Sequence, residues 1–394
     1  MHVQKILHEI LSKTIHKTRI KTLLSLLIGL FDSKQLKLTQ LGRSIPTSGQ
    51  ERSGILRVNR FLSNIYYQKN SIDIYHSITQ FVLKNIPNPD IIVDWSSLPN
   101  STYRTQDGEH LILRASYSAQ GRAITLYEEV HPKRLEGNPK VHKAFLENLQ
   151  SILPDGCIPC IITDAGYKTP WFKSVAKLGW NYIGRVACAT SCYDDGAGFQ
   201  EATTLFDYAQ KTPRFLGSFL LTKTNRFETN FYVYKGSPKG RHKWTKTIPK
   251  KIAKDKDSTK HGKSYREPWV LVSSLRGDNC AERVVEKYKR RMTIEEGFRD
   301  TKSVDYGFSM KENVTIDPKR YIVWLMLAAL GSLIAWIIGF TGEKQNIHYA
   351  FQANSYKKRR VLSFFYLGCQ MIRKKVPITL DLDGIRQAAW EASG

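Results

Sequence analysis

Four residues between positions 288 and 302 carry chemistry at helical spacing: Tyr288, Arg291, Glu295 and Lys302, in YKRRMTIEEGFRDTK. At about 100° per residue they share an arc of about 60°. Val284 and Phe298 lie close to the same arc. A stripe with apolar members thus carries two cations, a phenol and a carboxylate. The stretch alone leaves two readings open. One is a solvated face laced by i,i+4 ion pairs. In the other, Glu295 holds a metal ion while Arg291, Lys302 and Tyr288 hold phosphates. Two further carboxylates bear on the choice. Asp94 ends the apolar run Ile91-Ile92-Val93, and Asp164 ends Ile161-Ile162-Thr163. Ligands of open α/β sheets gather at the carboxyl ends of strands, so two strand-end acids can meet a third from a helix lying over that edge. Such a set offers hard oxygen ligands to divalent metal. Two ions about 3.5–4 Å apart suit phosphoryl transfer. Taken singly, each aspartate reads as a cap or turn residue, Asp164-Ala165-Gly166 especially. Glu296 is the rival of Glu295, but it points about 100° further round a helix.

The elements that position these residues follow from periodicity. Residues 1 to about 85 are helical, with helix-like apolar spacing over 6–15 and 20–31. Two short helices around 38–45 and 55–62, with Arg43, Arg52, Arg57 and Arg60 nearby, suit a helix-turn-helix-like DNA reader. An ordinary basic helical bundle fits the same pattern. From Pro87 the period changes. Residues 90–97, 111–119 and 122–130 read as strands, the last two as a hairpin across Gln120-Gly121. A helix over 141–153, a strand at 160–163, a helix at 171–178 and a strand at 181–186 complete a mixed sheet covered by helices. Regularity stops over 188–267, a β-rich insertion in which residues 235–266 hold twelve Lys or Arg against two Asp. A strand at 269–274 resumes the sheet. Asn279 then starts one helix through the 288–302 stretch, with Glu282 completing a capping box.

The chain has 394 residues, 41% of them hydrophobic, enough for two or three cored domains. Its 60 Lys and Arg against 35 Asp and Glu give a net charge of +25, which calls for a polyanionic partner: nucleic acid or an anionic membrane. Residues 321–340 are twenty uncharged, mostly apolar residues. They are long enough to span a bilayer, yet a buried helix has the same composition. Six Cys make no disulfide framework in so long a chain, and no N-terminal signal peptide is visible. A reducing cytoplasm is therefore expected. Cys157 and Cys160 form a CxxC with a looser pair at Cys188 and Cys192, but a strand separates the two pairs by roughly 20 Å, against a zinc ribbon. Cys280 and Cys369 have no evident partner, and His131, His142 and His242 have no ligand spacing. There is no Gly-rich phosphate loop, so no nucleotide energy source is implied.

Tyr288, Arg291, Glu295 and Lys302, with IVDWS at 92–96 and TDAGYKTPWF at 163–172, resemble the signature of the insertion sequence 4 family of bacterial DDE transposases. The runs LRAS, TLYE, KSVAKLGW, EPWVL, IEEGFRD and FQAN are similar to family text as well, so the resemblance covers nearly the whole chain. It implies an RNase H-like catalytic core over 87–340, interrupted by the 188–267 insertion. An all-α DNA-binding domain over 1–86 and a basic helical C-terminal region over 341–394 complete the architecture. Asp94, Asp164 and Glu295 become the catalytic and metal-binding triad, with two Mg2+ ions that Mn2+ replaces. Tyr288, Arg291 and Lys302 become contacts to the DNA backbone. Trp269 takes the place of an aromatic that stacks on a flipped base, worth about 1–3 kcal/mol, where ordinary strand packing is the other reading. The implied activity is cut-and-paste transposition: nicking at the element's ends, hairpin formation and resolution, and strand transfer. The implied partners are terminal inverted repeats, target DNA and a second copy of the chain, at the bacterial nucleoid and away from membrane. Two rivals stand beside it: a catalytically inactive DNA-binding derivative of a transposase, and a membrane-attached basic protein built around 321–340.

Overall fold

A computed structural model describes residues 2–98, 109–236, 267–353, 355–356 and 359–391. The chain divides into two compact units, Met1–Pro159 with Met292–Gly394, and Cys160–Arg291.

The discontinuous unit is built on three antiparallel strands, β1 (Asp90–Ser97), β2 (His110–Ala119) and β3 (Arg122–Pro132), in the order β3-β2-β1. The expected hairpin forms: Gly121 takes φ 72°, a left-handed turn geometry that glycine adopts without a Cβ clash. Every residue of β2 is buried, including the polar His110, Arg114, Ser116 and Ser118. Six helices precede the strands: α1 (His2–Leu11), α2 (Lys17–Ser33), α3 (Leu38–Ser44), α4 (Glu51–Leu62), α5 (Ile65–Lys69) and α6 (Ser71–Val82). Polar side chains of α6 reach the strands and α7 (Pro139–Ile152). Thr79 Oγ1 donates to the Leu126 carbonyl at 3.2 Å, and Gln80 Nε2 to the Ile152 carbonyl at 3.2 Å.

The apolar run is α11 (Pro318–Lys344). Asp317 caps its start by accepting from the Lys319 amide, and Pro318 occupies the first turn. Of its most apolar 18-residue window, 89% is buried inside the protein. It packs against β3, α1, α2, α6 and α12 (Phe364–Arg373). Burial on all sides accounts for its composition. Helix α13 (Leu382–Glu391) follows.

The contiguous unit carries β4 (Cys160–Thr163) and β5 (Asn181–Arg185), parallel and joined by α8 (Thr169–Lys177). Strand β10 (Trp269–Ser273) runs antiparallel to β5. The 188–267 segment supplies β6 (Cys192–Asp194), β7 (Phe199–Glu201), β8 (Arg214–Leu221) and β9 (Phe227–Tyr234), and the order is β4-β5-β10-β9-β8-β6-β7. Its strands therefore extend the sheet from β10. Most of the basic run, residues 237–266, lies outside the described residues, as do Lys357 and Lys358 of the basic tail.

Two expectations are corrected. The single helix from Asn279 through Lys302 is two: α9 (Cys280–Lys289) and α10 (Thr293–Lys302), joined by a 3-10 turn at Arg290–Met292. That turn winds at about three residues per turn, so the 100° stripe does not run unbroken across it. None of its three residues is buried, so no packed face holds an α-helical phase there. Nor does Asn279 form a capping box. It sits at φ 51°, and its side chain makes no cap bond. A capping side chain needs the extended backbone that a left-handed residue lacks.

Candidate functional site

In the discontinuous unit, Asp94 is half-buried on β1, and its Oδ1 accepts from the Trp95 amide at 2.9 Å. Register places it opposite Arg114 on β2, which is opposite Glu128 on β3. Directly paired residues of an antiparallel ladder share a face, with Cβ atoms about 4.5–5.5 Å apart. Arg114 is 1% exposed and Glu128 4%. The guanidinium grips one carboxylate oxygen twice, Nη2 at 2.7 Å and Nε at 2.9 Å from Oε2, while Tyr75 donates to Oε1 at 3.4 Å. Burial pushes the Glu128 carboxyl up even though Arg114 pulls it down.

Helix α10 covers this row. Its Phe298 ring lies 4.3 Å from the Arg114 guanidinium carbon, and Thr301 Oγ1 accepts from Arg114 at 3.3 Å. Lys302 Nζ donates to Ser96 Oγ at 2.7 Å and to the Ser97 carbonyl, both on β1. Burial, reinforced by Arg114, pulls the Lys302 ammonium down to about 7. Arg122 holds Asp300 at 2.8 Å and comes within 3.8 Å of Glu296. Burial outweighs that partner and carries the Asp300 carboxyl up to about 7. Glu295 is exposed at the first turn of α10, whereas Glu296 pairs with Arg299 at 2.9 Å. Sequence spacing preferred Glu295 to Glu296, which Arg122 and Arg299 approach.

In the contiguous unit, Asp164 follows the last residue of β4. Its Oδ1 accepts from the Gly166 amide at 2.8 Å, which is the turn its sequence resembles. Tyr288 on α9 is 4% exposed. Burial pushes its phenol to about 12, against the pull of Arg291 and Arg185 and with a push from Asp164. Asp164, Arg185 and Arg291 thus all act on Tyr288 in this unit. The Trp269 ring stands 5.0 Å from that of Tyr288, edge-on, and 5.6 Å from that of Tyr234.

The expected site residues therefore fall into two sets: Asp94, Glu295 and Lys302 in one unit; Asp164, Trp269, Tyr288 and Arg291 in the other. Among the described residues, no group of three or more His, Cys, Asp or Glu stands ready to hold a metal. The donor chemistry of Asp94, Asp164 and Glu295, all carboxylate oxygen, is that of Mg2+ or Mn2+ ligands. None of the described cysteines is in a disulfide.

A cleft of about 280 Å³ lies among α2, α4 and α5, lined by Thr18, Arg19, Thr22, Arg57, Arg60 and Asn64. Arg57 and Arg60 belong to the basic cluster expected there. Arg19, which sequence patterning did not single out, lies 3.6 Å over the Tyr66 ring. The sequence reading also missed Arg114, Glu128 and Arg185. The one legible signal was a charged residue in the middle of each of two strands, Arg114 in β2 and Glu128 in β3.

The family model for the transposase DDE domain matches residues 87–329, more than half of the chain, and the chain belongs to that family. No curated protein matches it. Among solved structures, a cryo-EM structure of the piggyBac transposase synaptic complex with hairpin DNA is similar. It shares 12% identity over 99% of this chain and 81% of that one, at a TM-score of 0.45, too loose to carry a functional argument. The protein is a DDE transposase with a mixed α/β fold.

Proposed function

We propose that this transposase moves an insertion sequence by cut-and-paste, in the manner of the insertion sequence 4 family and of the transposon-ten transposase that its sequence resembles. The observation that carries the proposal is the family match over 87–329, within which Asp94, Asp164 and Glu295 all fall. Asp94, Asp164 and Glu295 are the catalytic carboxylates of an RNase H-like core and would hold two Mg2+ ions. When bound, such ions activate an attacking oxygen and stabilise a leaving one.

The chain's own residues supply the rest. Arg291 holds the DNA backbone near the element's end, and the buried Tyr288 phenol hydrogen-bonds with Arg291. Lys302 exchanges its Ser96 and Ser97 acceptors for a phosphate oxygen. The Trp269 face stacks on a base turned out of the duplex, relieving strain in the hairpin. The arginine-lined cleft among α2, α4 and α5 receives a backbone phosphate of the terminal inverted repeat, with residues 1–86 serving as its DNA-binding domain. Four displacements follow in order: water nicks one strand, the freed 3′-hydroxyl attacks the opposite strand, water reopens the hairpin, and the 3′-hydroxyl attacks target DNA. Each exchanges one phosphorus–oxygen bond for another, so no nucleotide is hydrolysed. Two copies, one on each end, act together at the nucleoid.

The test is cleavage of an end duplex with Mg2+ or Mn2+, read on denaturing gels. Asp94→Asn, Asp164→Asn and Glu295→Gln are each expected to reduce nick and hairpin products to background. Persistent hairpin formation in all three overturns the assignment. Binding without cleavage by the unaltered chain favours the inactive-derivative reading.

A further inference from the structure

Arg114 has no place in the proposed chemistry, yet it is among the largest fully buried side chains in the described protein. An arginine stays charged, and burying such a pair is often no more stable than apolar packing of similar shape. Stability therefore does not explain its presence, and its contacts offer another account. The guanidinium is locked by Glu128 on β3, stands opposite Asp94 in the β1–β2 ladder, and touches Phe298 and Thr301 on α10. Helix α10 comes close at this point because residue 297 is glycine: a Cβ there would stand 3.2 Å from the Ala123 carbonyl on β3 and 3.7 Å from Arg114 Nη1. Lys302, one turn on, is tied to Ser96 and Ser97 of β1. Glu295 lies seven residues before Lys302, within about 20° of it around the helix. Two attachments to Arg114, at Phe298 and Thr301, hold the rotation and the height of α10, with Lys302 a third in the absence of DNA, and so hold Glu295 relative to Asp94.

We propose that Arg114, held by Glu128, is a positioning residue that sets the distance between the carboxylates of Asp94 and Glu295. It touches neither DNA nor the reacting atoms. This rests on the reading of Asp94 and Glu295 as metal ligands, and the experiment separates the two. Tb3+ serves as the probe. Its luminescence, sensitised by tryptophans with Trp95 beside Asp94, reads binding to the full chain without DNA or turnover. Thr301→Val leaves the Arg114–Glu128 pair intact and removes the hydroxyl that accepts from Arg114, together with that hydroxyl's own bond to the Gly297 carbonyl inside α10. The expected result is a rise of about tenfold in the Tb3+ concentration for half-saturation, the scale of losing a ligand-orienting partner, with an unchanged melting midpoint. Arg114→Met is expected to raise it at least as far, and Arg114→Lys not to restore it, because an ammonium lacks the fork. Should Arg114→Met fail to fold, Thr301→Val decides. Wild-type Tb3+ binding in Thr301→Val, or weakening that merely tracks a lower melting midpoint, overturns the proposal while Asp94→Asn and Glu295→Gln still abolish binding. If those two bind Tb3+ normally, the metal reading falls and the proposal with it.

Discussion

The indole of Trp95 donates to Nε2 of His142 at 3.2 Å, which requires that nitrogen to be unprotonated. Burial, with His131 nearby, pulls the His142 imidazole down to about 4. A folded-state value below the usual 6.5 means stability that is complete above 6.5 and lost as pH falls through 4. The loss is on the order of 3 kcal/mol. Urea unfolding followed by tryptophan fluorescence at about pH 7 and about pH 4.5 checks it. Wild type is expected to lose more stability between the two than His142→Gln does; equal losses refute the account. From sequence, His142 carried no role, since a histidine on an amphipathic helix shows nothing of what it faces. Arg114 was hidden for a different reason. Counting outward from Gln120-Gly121 pairs it with Tyr127, but Ser116 pairs Thr125 while Ala115 pairs Tyr127, and the irregularity brings Arg114 opposite Glu128. A one-residue bulge leaves no mark in composition.

Among the elements, α11 and α12 meet through glycine. A Cβ on Gly339 would collide with the Phe364 backbone, and one on Gly368 with the Ala335 backbone. Backbone cannot yield as a side-chain tip can, so Gly339→Ala and Gly368→Ala are each expected to cost about 1–3 kcal/mol. Calorimetry checks this, and an unchanged melting midpoint counts against the close crossing. Strands β1 to β5 and β10 were legible because β-branched runs between turn residues leave few alternatives. The long helix was misread at Arg290–Met292, where no glycine or proline marks the change. Its winding is set by packing on either side: Tyr288 and Ile294 are buried, and the three residues between Lys289 and Thr293 are not. Apolar content showed that 321–340 is a helix, but only its neighbours show what covers it.

For the whole molecule, the +25 charge makes DNA affinity steeply dependent on salt. Specific contacts should stand out as changes in that slope. Arg57→Ala and Arg60→Ala, which open the cleft of α2, α4 and α5, are expected to reduce the slope of log K against log salt by about one each. Fluorescence anisotropy across a salt series measures it, and an unaltered slope removes the cleft from the interface. Asp94, Asp164 and Glu295 were each singled out in the sequence, but Asp94 lies within β1 rather than at its end, and the division of the three between two units was not legible, because sequence order does not announce which segments fold together. That division has a consequence during synthesis. The unit of Cys160–Arg291 is continuous and can fold as it emerges, whereas the other waits for Met292 onward. At translation speeds of about 5–20 residues per second the wait is on the order of ten seconds. Throughout it, the faces of α1, α2 and α6 that α11 later covers stand open to water, a window for chaperone capture. A ribosome that stalls within the contiguous unit beyond Asp164 releases a chain that has Asp94 and Asp164 but never receives Glu295, and so lacks one member of the proposed triad.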